Sequence, residues 1–218
     1  MANYGVIDLG SNSVRLVIFD VKDGISKKKP ITCKDFRSII NDKVMAGLSA
    51  YVEAGEFTQE GIARAVDVLS GHLKRARYFN CVRTDIFATA VLRNCANSRK
   101  AIRAIEEAIG APVNLLSARD EAHLSFTGAS CDRTIEKGTV VDLGGGSTEL
   151  IRVEEGRDFD DVSIGQGSLS SYAGYVEFVM PQADEVEAIE RAFLNQVAKT
   201  PVDLKKYRAE TLYGVGGS

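Results

Sequence analysis

One internal repeat constrains this chain more than any other feature. Residues 6–13 read VIDLGSNS and residues 140–147 read VVDLGGGS. Each copy has two β-branched residues, then Asp-Leu-Gly, two small residues and Ser. Each runs into a second strand-like segment, VRLVIFDV after the first and TELIRVEE after the second, ending near Gly24 and Gly156. Apolar runs flanking a glycine turn read as strand, tight turn, strand. The same unit occurring twice argues for two similar domains of about 100 residues each, and 218 residues hold that much.

The remaining pattern is mixed α and β. Residues 58–79 place Ile62, Val66, Leu69, Leu73 and Ala76 at helical spacing behind Thr58 as N-cap, with His72 on the polar side. Residues 82–89 read as a strand, 98–109 as a helix stopped by Gly110 and Pro112, 113–116 as a short strand and 119–129 as a helix. Beyond the second hairpin, 167–176 and 183–198 read as helices, and TLYGVGGS closes the chain as a strand entering a glycine turn. The expected class is α/β, with the break near 117–124 and the domains taken as 1–120 and 121–218. A glycine turn of that kind ordinarily leads into another element, so the second domain is expected to be incomplete, and its exposed edge offers a route to a homodimer. KDGISKKKP at 22–30 reads as a hairpin loop with Lys27, Lys28 and Lys29 solvated, steering of a polyanion being the lesser reading.

Composition removes several classes. Lys and Arg number 27 against 30 Asp and Glu, a net charge of −3, so binding of DNA through a basic surface is not expected. No apolar run approaches the roughly 18 residues of a membrane span. The opening MANYGVIDLGSNS lacks the basic and apolar regions of a secretory signal. Cys33, Cys81, Cys95 and Cys131 lie far apart with no CxxC pair, so neither a zinc site nor a disulfide framework is expected; reduced thiols in a cytoplasm are the default. His72 and His123 have no second histidine at metal-ligand spacing.

DLGGGS at 142–147 is where chemistry is expected. Consecutive glycines permit positive φ and bring N–H groups close to a ligand, a nest for phosphate oxygens. A carboxylate beside phosphate usually serves a cation, since like charges repel. That makes Asp142 a Mg²⁺ candidate, and a hairpin would return Glu149 to its side. A plain β-hairpin with glycines chosen for the turn is the competing reading. The twin DLGSNS offers Asp8, Asn12 and Ser13 at the same turn. Two such turns facing each other across a cleft would suit a polyphosphate.

The paired hairpins resemble the phosphate loops of the actin, heat-shock-chaperone and sugar-kinase superfamily. Within it, the chain is similar to the exopolyphosphatase / guanosine pentaphosphate phosphohydrolase (Ppx/GppA) family. FATAVLRNCANS at 87–98 resembles that family's T-x-x-x-R-x-x-x-N segment, and LSARDEAHLSFTGA at 116–129 its S-G-x-E-E-A-x-L segment. DLGGGSTEL at 142–150, IGQGS at 164–168 and YGVGGS at 213–218 also fit, in order along the whole chain. The resemblance implies two ribonuclease H-like (actin-like ATPase) domains, each a mixed sheet flanked by helices, with a cleft between them. It implies a Mg²⁺-dependent phosphoanhydride hydrolase releasing terminal phosphate from inorganic polyphosphate, guanosine pentaphosphate or both.

Carried over position by position, it makes Glu121 the general base on the attacking water and Arg93 the phosphate-holding arginine. It makes Asp142, Glu149 and Asp8 the metal carboxylates, and Ser11, Asn12, Ser13, Gly144, Gly145, Gly146 and Ser147 the phosphate-loop positions. The residue types agree. Arginine gives a planar bidentate fork, and a helix N-terminus favours an ionised carboxylate. A surface salt bridge for Arg93 and a merely helix-stabilising role for Glu121 are the competing readings. His123 occupies a position usually basic in the family and is expected near phosphate. The chain departs from the family at Ala118 and Asp120 in SARDE, and at DKVMAGLSAYVE (42–53), where Lys43 stands for an arginine and cannot chelate as one. An ATP-binding kinase or ATPase of the same superfamily, and a non-catalytic polyphosphate or alarmone sensor, are the alternatives.

Overall fold

The computed structural model describes residues 2–22, 32–131 and 133–216. Lys27, Lys28, Lys29 and the last two residues of YGVGGS lie outside the described residues. The chain divides into two compact units, Met1–Ser117 and Ala118–Ser218.

In the first unit, β1 (Ala2–Leu9), β2 (Ser13–Val21) and β3 (Phe36–Met45) form an antiparallel meander. A short hairpin, β4 (Val52–Glu53) with β5 (Glu56–Phe57), precedes α1 (Gln59–Tyr78). Then come β6 (Cys81–Ala88), α2 (Ala90–Arg93), α3 (Ser98–Ile109) and β7 (Asn114–Leu115). The sheet order is β3-β2-β1-β6-β7, with β6 parallel to β1. Period-2 alternation buries Ile7 and Leu9 and leaves Asp8 exposed between them. Those residues, with Leu16, Ile18 and Ile86, meet Leu69 and Leu73 of α1 and Ile102 and Ile105 of α3 in one core. The Thr58 hydroxyl accepts from Gly61 N, capping α1 as the sequence requires.

His72 is not on a polar face. It is 1% exposed, with Nε2 3.2 Å from the Val14 carbonyl and Nδ1 3.3 Å from Asp42 Oδ2, a carboxylate also met by Arg75. Helical spacing places it beside Leu69 and Leu73, and two polar partners on β2 and β3 make its burial tolerable. Burial holds its pKa below the ordinary imidazole range, against a smaller opposing pull from the Val14 carbonyl.

The second unit opens with α4 (Ala118–Ala129) and continues with β8 (Gly138–Leu143), β9 (Thr148–Glu154) and β10 (Arg157–Ile164), again an antiparallel meander. After α5 (Ser168–Tyr175) and α6 (Ala183–Lys199), β11 (Leu212–Gly216) returns parallel to β8. The order β10-β9-β8-β11 repeats the first four strands of the other sheet. The sequence repeat is therefore a repeat of topology, although β10 and α2 were not expected from the sequence. The core is small: Ala122 and Phe126 of α4, one turn apart, pack with Ile135, Val140, Ile151 and Val153. No residue of α5 or α6 is buried.

Cys81 and Cys95 are free thiols, Cys95 buried and Cys81 half-buried. Among the described residues no helix is long and apolar enough to cross a membrane.

Because six residues make up the second core, Phe126→Ala should cost that unit about 3–5 kcal/mol in urea unfolding. Leu194→Ala on exposed α6 should change stability by less than about 0.5 kcal/mol. Equal losses for the two variants would refute this assignment of the core.

Candidate phosphate site

Both repeat turns close in the same way. Gly10 N donates to the Ser13 carbonyl at 3.1 Å, and Gly144 N to the Ser147 carbonyl at 3.0 Å. Glycine is favoured at each, though not for the reason expected. Neither Gly10 nor Gly144 has a positive φ; instead, a Cβ would stand 3.0 Å from the Ser13 oxygen and 3.1 Å from the Ser147 oxygen. Among the described residues, the N–H groups of Ser11, Asn12, Gly145 and Gly146 donate to no partner. Each turn therefore presents backbone donors at its tip, the requirement for cradling an anion.

A neighbouring segment braces each turn. Ala46 N and Gly47 N donate to the Asn12 carbonyl at 2.8 and 2.7 Å, and Ser49 N to that of Ser11 at 2.8 Å. In the second unit Ser168 N donates to the Gly144 carbonyl at 2.9 Å, while Leu169 N and Ser170 N reach that of Gly145 at 3.0 Å. The brace lies so close that a Cβ on Gly167 would sit 2.4 Å from the Gly144 oxygen. IGQGS and the departed 42–53 segment thus fix the carbonyl side of the turns, which directs the N–H side outward. Sequence reasoning quoted the segments holding Ala46, Gly47, Ser49 and Ser168 but not their bracing role, and it did not single out Leu169 or Ser170.

The turns fix register, and register decides which side chains meet. Asp142 on β8 pairs with Glu149 on β9, and Glu149 with Ser163 on β10, so the three lie in one row on one face. The equivalent pair in the first unit is Asp8 with Arg15. The carboxylate pair therefore belongs to the second unit alone, and Asp8 faces a cation across its own ladder.

Glu149 is 2% exposed. Ser163 Oγ donates to its Oε1 at 2.8 Å, and the Ser147 hydroxyl also bonds it. Asp142 Oδ2 accepts from Ser125 Oγ at 2.6 Å. Ser125 lies one turn along α4 from Glu121, on the flank next to the Ala122 and Phe126 stripe that packs on the sheet. Burial pushes the Glu149 pKa up, the Ser147 and Ser163 hydroxyls oppose the rise, and the charges of Glu121 and Asp142 add to it. Glu121, Asp142 and Glu149 thus form one electrostatic group around buried Glu149. Ser125 and Ser163 were missed by sequence reasoning. The i, i+4 spacing from Glu121 could have flagged the first; the second required knowing of β10.

Among the described residues no group of three or more His, Cys, Asp and Glu is placed to hold a metal. Two carboxylates side by side suit Mg²⁺ nonetheless, which commonly takes one or two with water and substrate phosphates completing its octahedron. Asp142 and Glu149 fit that donor set, and a cation would offset the charge crowding that raises Glu149.

Arg93 ends α2, half-buried, and its Nη1 donates to the Leu116 carbonyl at 3.2 Å. Asn97 of the same motif is structural: its amide donates to the Phe57 carbonyl and accepts from Phe57 N, both at 2.9 Å. His123 Nδ1 pairs with Asp158 Oδ2 at 2.8 Å, joining α4 to β10.

The α/β chain thus carries a duplicated glycine turn with backbone donors at both tips and a carboxylate row beside one. The Ppx/GppA phosphatase family model matches residues 6–218, and the chain belongs to that family. A protein of Haemophilus influenzae named "Putative exopolyphosphatase" is 26% identical over 221 residues, covering 97% of this chain and 63% of the relative. The chain thus spans less than two thirds of that relative's length. Among solved structures, an exopolyphosphatase from Cytophaga hutchinsonii matches with a TM-score of 0.81 at 22% identity, covering 99% of this chain and 67% of the other. The Aquifex aeolicus Ppx/GppA family member matches with a TM-score of 0.71 at 24% identity, covering 99% and 66%. At those identities the likeness is one of fold.

A carboxyl with a native pKa above its ordinary value of 4.5 binds more protons folded than unfolded. Its ionisation therefore lowers stability as pH rises through that window. Without divalent metal, Glu149→Gln should melt higher than the unsubstituted protein at pH 8, the gap closing near pH 4. A gap of the same size at both pH values would show that ionisation of Glu149 is not its source.

Proposed function

We propose that this chain supplies the phosphate-holding and water-activating machinery of a Mg²⁺-dependent phosphoanhydride hydrolase that removes terminal phosphate from inorganic polyphosphate, with guanosine pentaphosphate a second substrate. The observation that supports it best is the carboxylate group Glu121, Asp142 and Glu149, set beside a turn whose Gly145 and Gly146 N–H groups have no partner among the described residues. The two-domain actin-like architecture with a ligand cleft belongs to the same proposal.

In this reading Glu121 takes a proton from water as the water oxygen bonds to the terminal phosphorus. The bridging P–O bond breaks and the shortened chain leaves with its electron pair. Phosphoryl transfer of this kind has a loose transition state, so positioning and charge neutralisation do most of the catalysis. Arg93 supplies a guanidinium for the phosphate oxygens, and the turn N–H groups of Ser11, Asn12, Gly145 and Gly146 supply uncharged donors. Asp142 and Glu149 would hold the Mg²⁺, which neutralises phosphate charge when bound. Ser125 and Ser163 orient the two carboxylates.

The departures Ala118 and Asp120, directly before Glu121, favour a second reading in which the site binds its ligand without turnover. Phosphate release separates the two. With Mg²⁺, the chain should liberate phosphate from polyphosphate faster than from ATP. Glu121→Gln should lower that rate by about 10²–10⁴-fold with little change in polyphosphate binding. Tight binding with no phosphate released from polyphosphate, guanosine pentaphosphate or ATP would refute hydrolysis and leave the sensor.

A further inference from the structure

The second unit has a cavity of about 480 Å³ at the end of its sheet opposite the glycine turn. Its wall is built from the start of β8 at Gly138 and Thr139, the end of β9 at Val153 and Glu154, and the segment leading into β11. β8 runs from this cavity to the turn, and six residues of strand separate the two by about 17 Å. The floor is tight: Gly138 has a φ of 146°, and a Cβ there would meet the Thr211 carbonyl at 2.8 Å.

The lining is strongly cationic in a chain of net charge −3. Lys137, Arg152, Lys205, Lys206 and Arg208 line it against only two acids, Glu154 and Glu210. Arg152 is engaged by Glu154 and lies 5.1 Å over the Phe159 ring, so its charge is already answered. Among the described residues, Lys137, Lys205, Lys206 and Arg208 have no ion-pair partner. Four unanswered cations converging on one concavity repel one another, and a multivalent anion bridging them would relieve this. The shape of that anion is restricted too. No aromatic side chain lines the cavity, so no face is offered on which a nucleobase could stack.

We propose that this cavity is a second anion site, separate from the glycine turn, that takes a short inorganic phosphate chain through Lys137, Lys205, Lys206 and Arg208. Lysines act there as mobile point charges, a match for a flexible chain of tetrahedral phosphates rather than for one fixed carboxylate. The site needs neither Glu121 nor the turn, and it does not depend on the hydrolase reading.

Lysine acetylation read by mass spectrometry tests it directly, with tripolyphosphate as the probe and EDTA present. Tripolyphosphate should slow modification of Lys137, Lys205 and Lys206 at least fivefold, leaving Lys74, Lys100 and Lys199 unchanged. The double variant K205E/K206E should weaken tripolyphosphate binding by calorimetry at least tenfold with an unaltered melting temperature, both positions being exposed. Equal slowing at all six lysines, or the same slowing from sulfate at matched ionic strength, would overturn the proposal by showing general ion association. Protection by GTP at a tenfold lower concentration than tripolyphosphate would also overturn it, because the cavity would then be reading a base. Failure here leaves the fate of Glu121→Gln untouched, and loss of hydrolysis in Glu121→Gln leaves the lysine footprint untouched.

Discussion

In each repeat turn the closing carbonyl returns close to the residue that opens it, which favours a small residue there. At Gly10 and Gly144 the carbonyl of the serine three residues on stands about 3 Å from the place a Cβ would occupy. That steric demand sets the tight turn, and the turn sets the register of each meander. Slipping β9 by one residue against β8 would exchange the faces of its entire side-chain set. Ile151 and Val153 would leave the core beneath α4, and Glu149 would no longer stand beside Asp142. The small second core and the carboxylate row therefore depend on the same glycine. Its turn presents free N–H groups at the tip because the bracing segment already occupies the carbonyls behind.

The duplication is faithful in topology and unfaithful in charge. Both sheets place a parallel strand beside the first strand of an antiparallel meander. At equivalent ladder positions, however, the first unit sets Arg15 across from Asp8 and the second sets Glu149 across from Asp142. A carboxylate opposite a guanidinium is a favourable cross-strand pairing, whereas a carboxylate opposite a carboxylate is a repulsive one. A structural hairpin gains nothing from burying Glu149 among other acids. A cation beside it would offset that cost, and the second unit, rather than the first, sets two carboxylates opposite each other in this way.

Much of this was legible in the sequence because the determining signals are local. Thr58 announces its helix by capping it, Ile62, Leu69, Leu73 and Ala76 announce its buried face, and the DLG repeat announces both hairpins. The pairing of Asp142 with Glu149 follows from hairpin geometry alone. What escaped depends on elements distant in sequence. His72 looks polar on a helical wheel and becomes interior once β2 and β3 bring Val14 and Asp42 to its two nitrogens. Ser163 joins Glu149 through a strand whose alternation, RDFDDVSI, is too acidic to read as β from composition. His123 sits at a basic family position, yet Asp158 of that same strand claims it. The glycines of the turn were rightly singled out for a partly wrong reason: at Gly10 and Gly144, close approach rather than left-handed backbone disfavours a side chain.

Charge in the second unit is sorted along its sheet. The turn end gathers Glu121, Asp142 and Glu149, and the opposite end gathers Lys137, Lys205, Lys206 and Arg208. At about 17 Å the two groups lie beyond a Debye length at physiological salt, so neither neutralises the other through solvent. Had the cations served only to balance the acids, low-energy arrangements would place them within ion-pairing distance, as Glu154 does for Arg152 and Asp42 for Arg75 and His72. Their separation leaves Lys137, Lys205, Lys206 and Arg208 without an acid at ion-pairing distance among the described residues. The two groups lie at opposite ends of one sheet, joined by the single strand that the glycine turn holds in register.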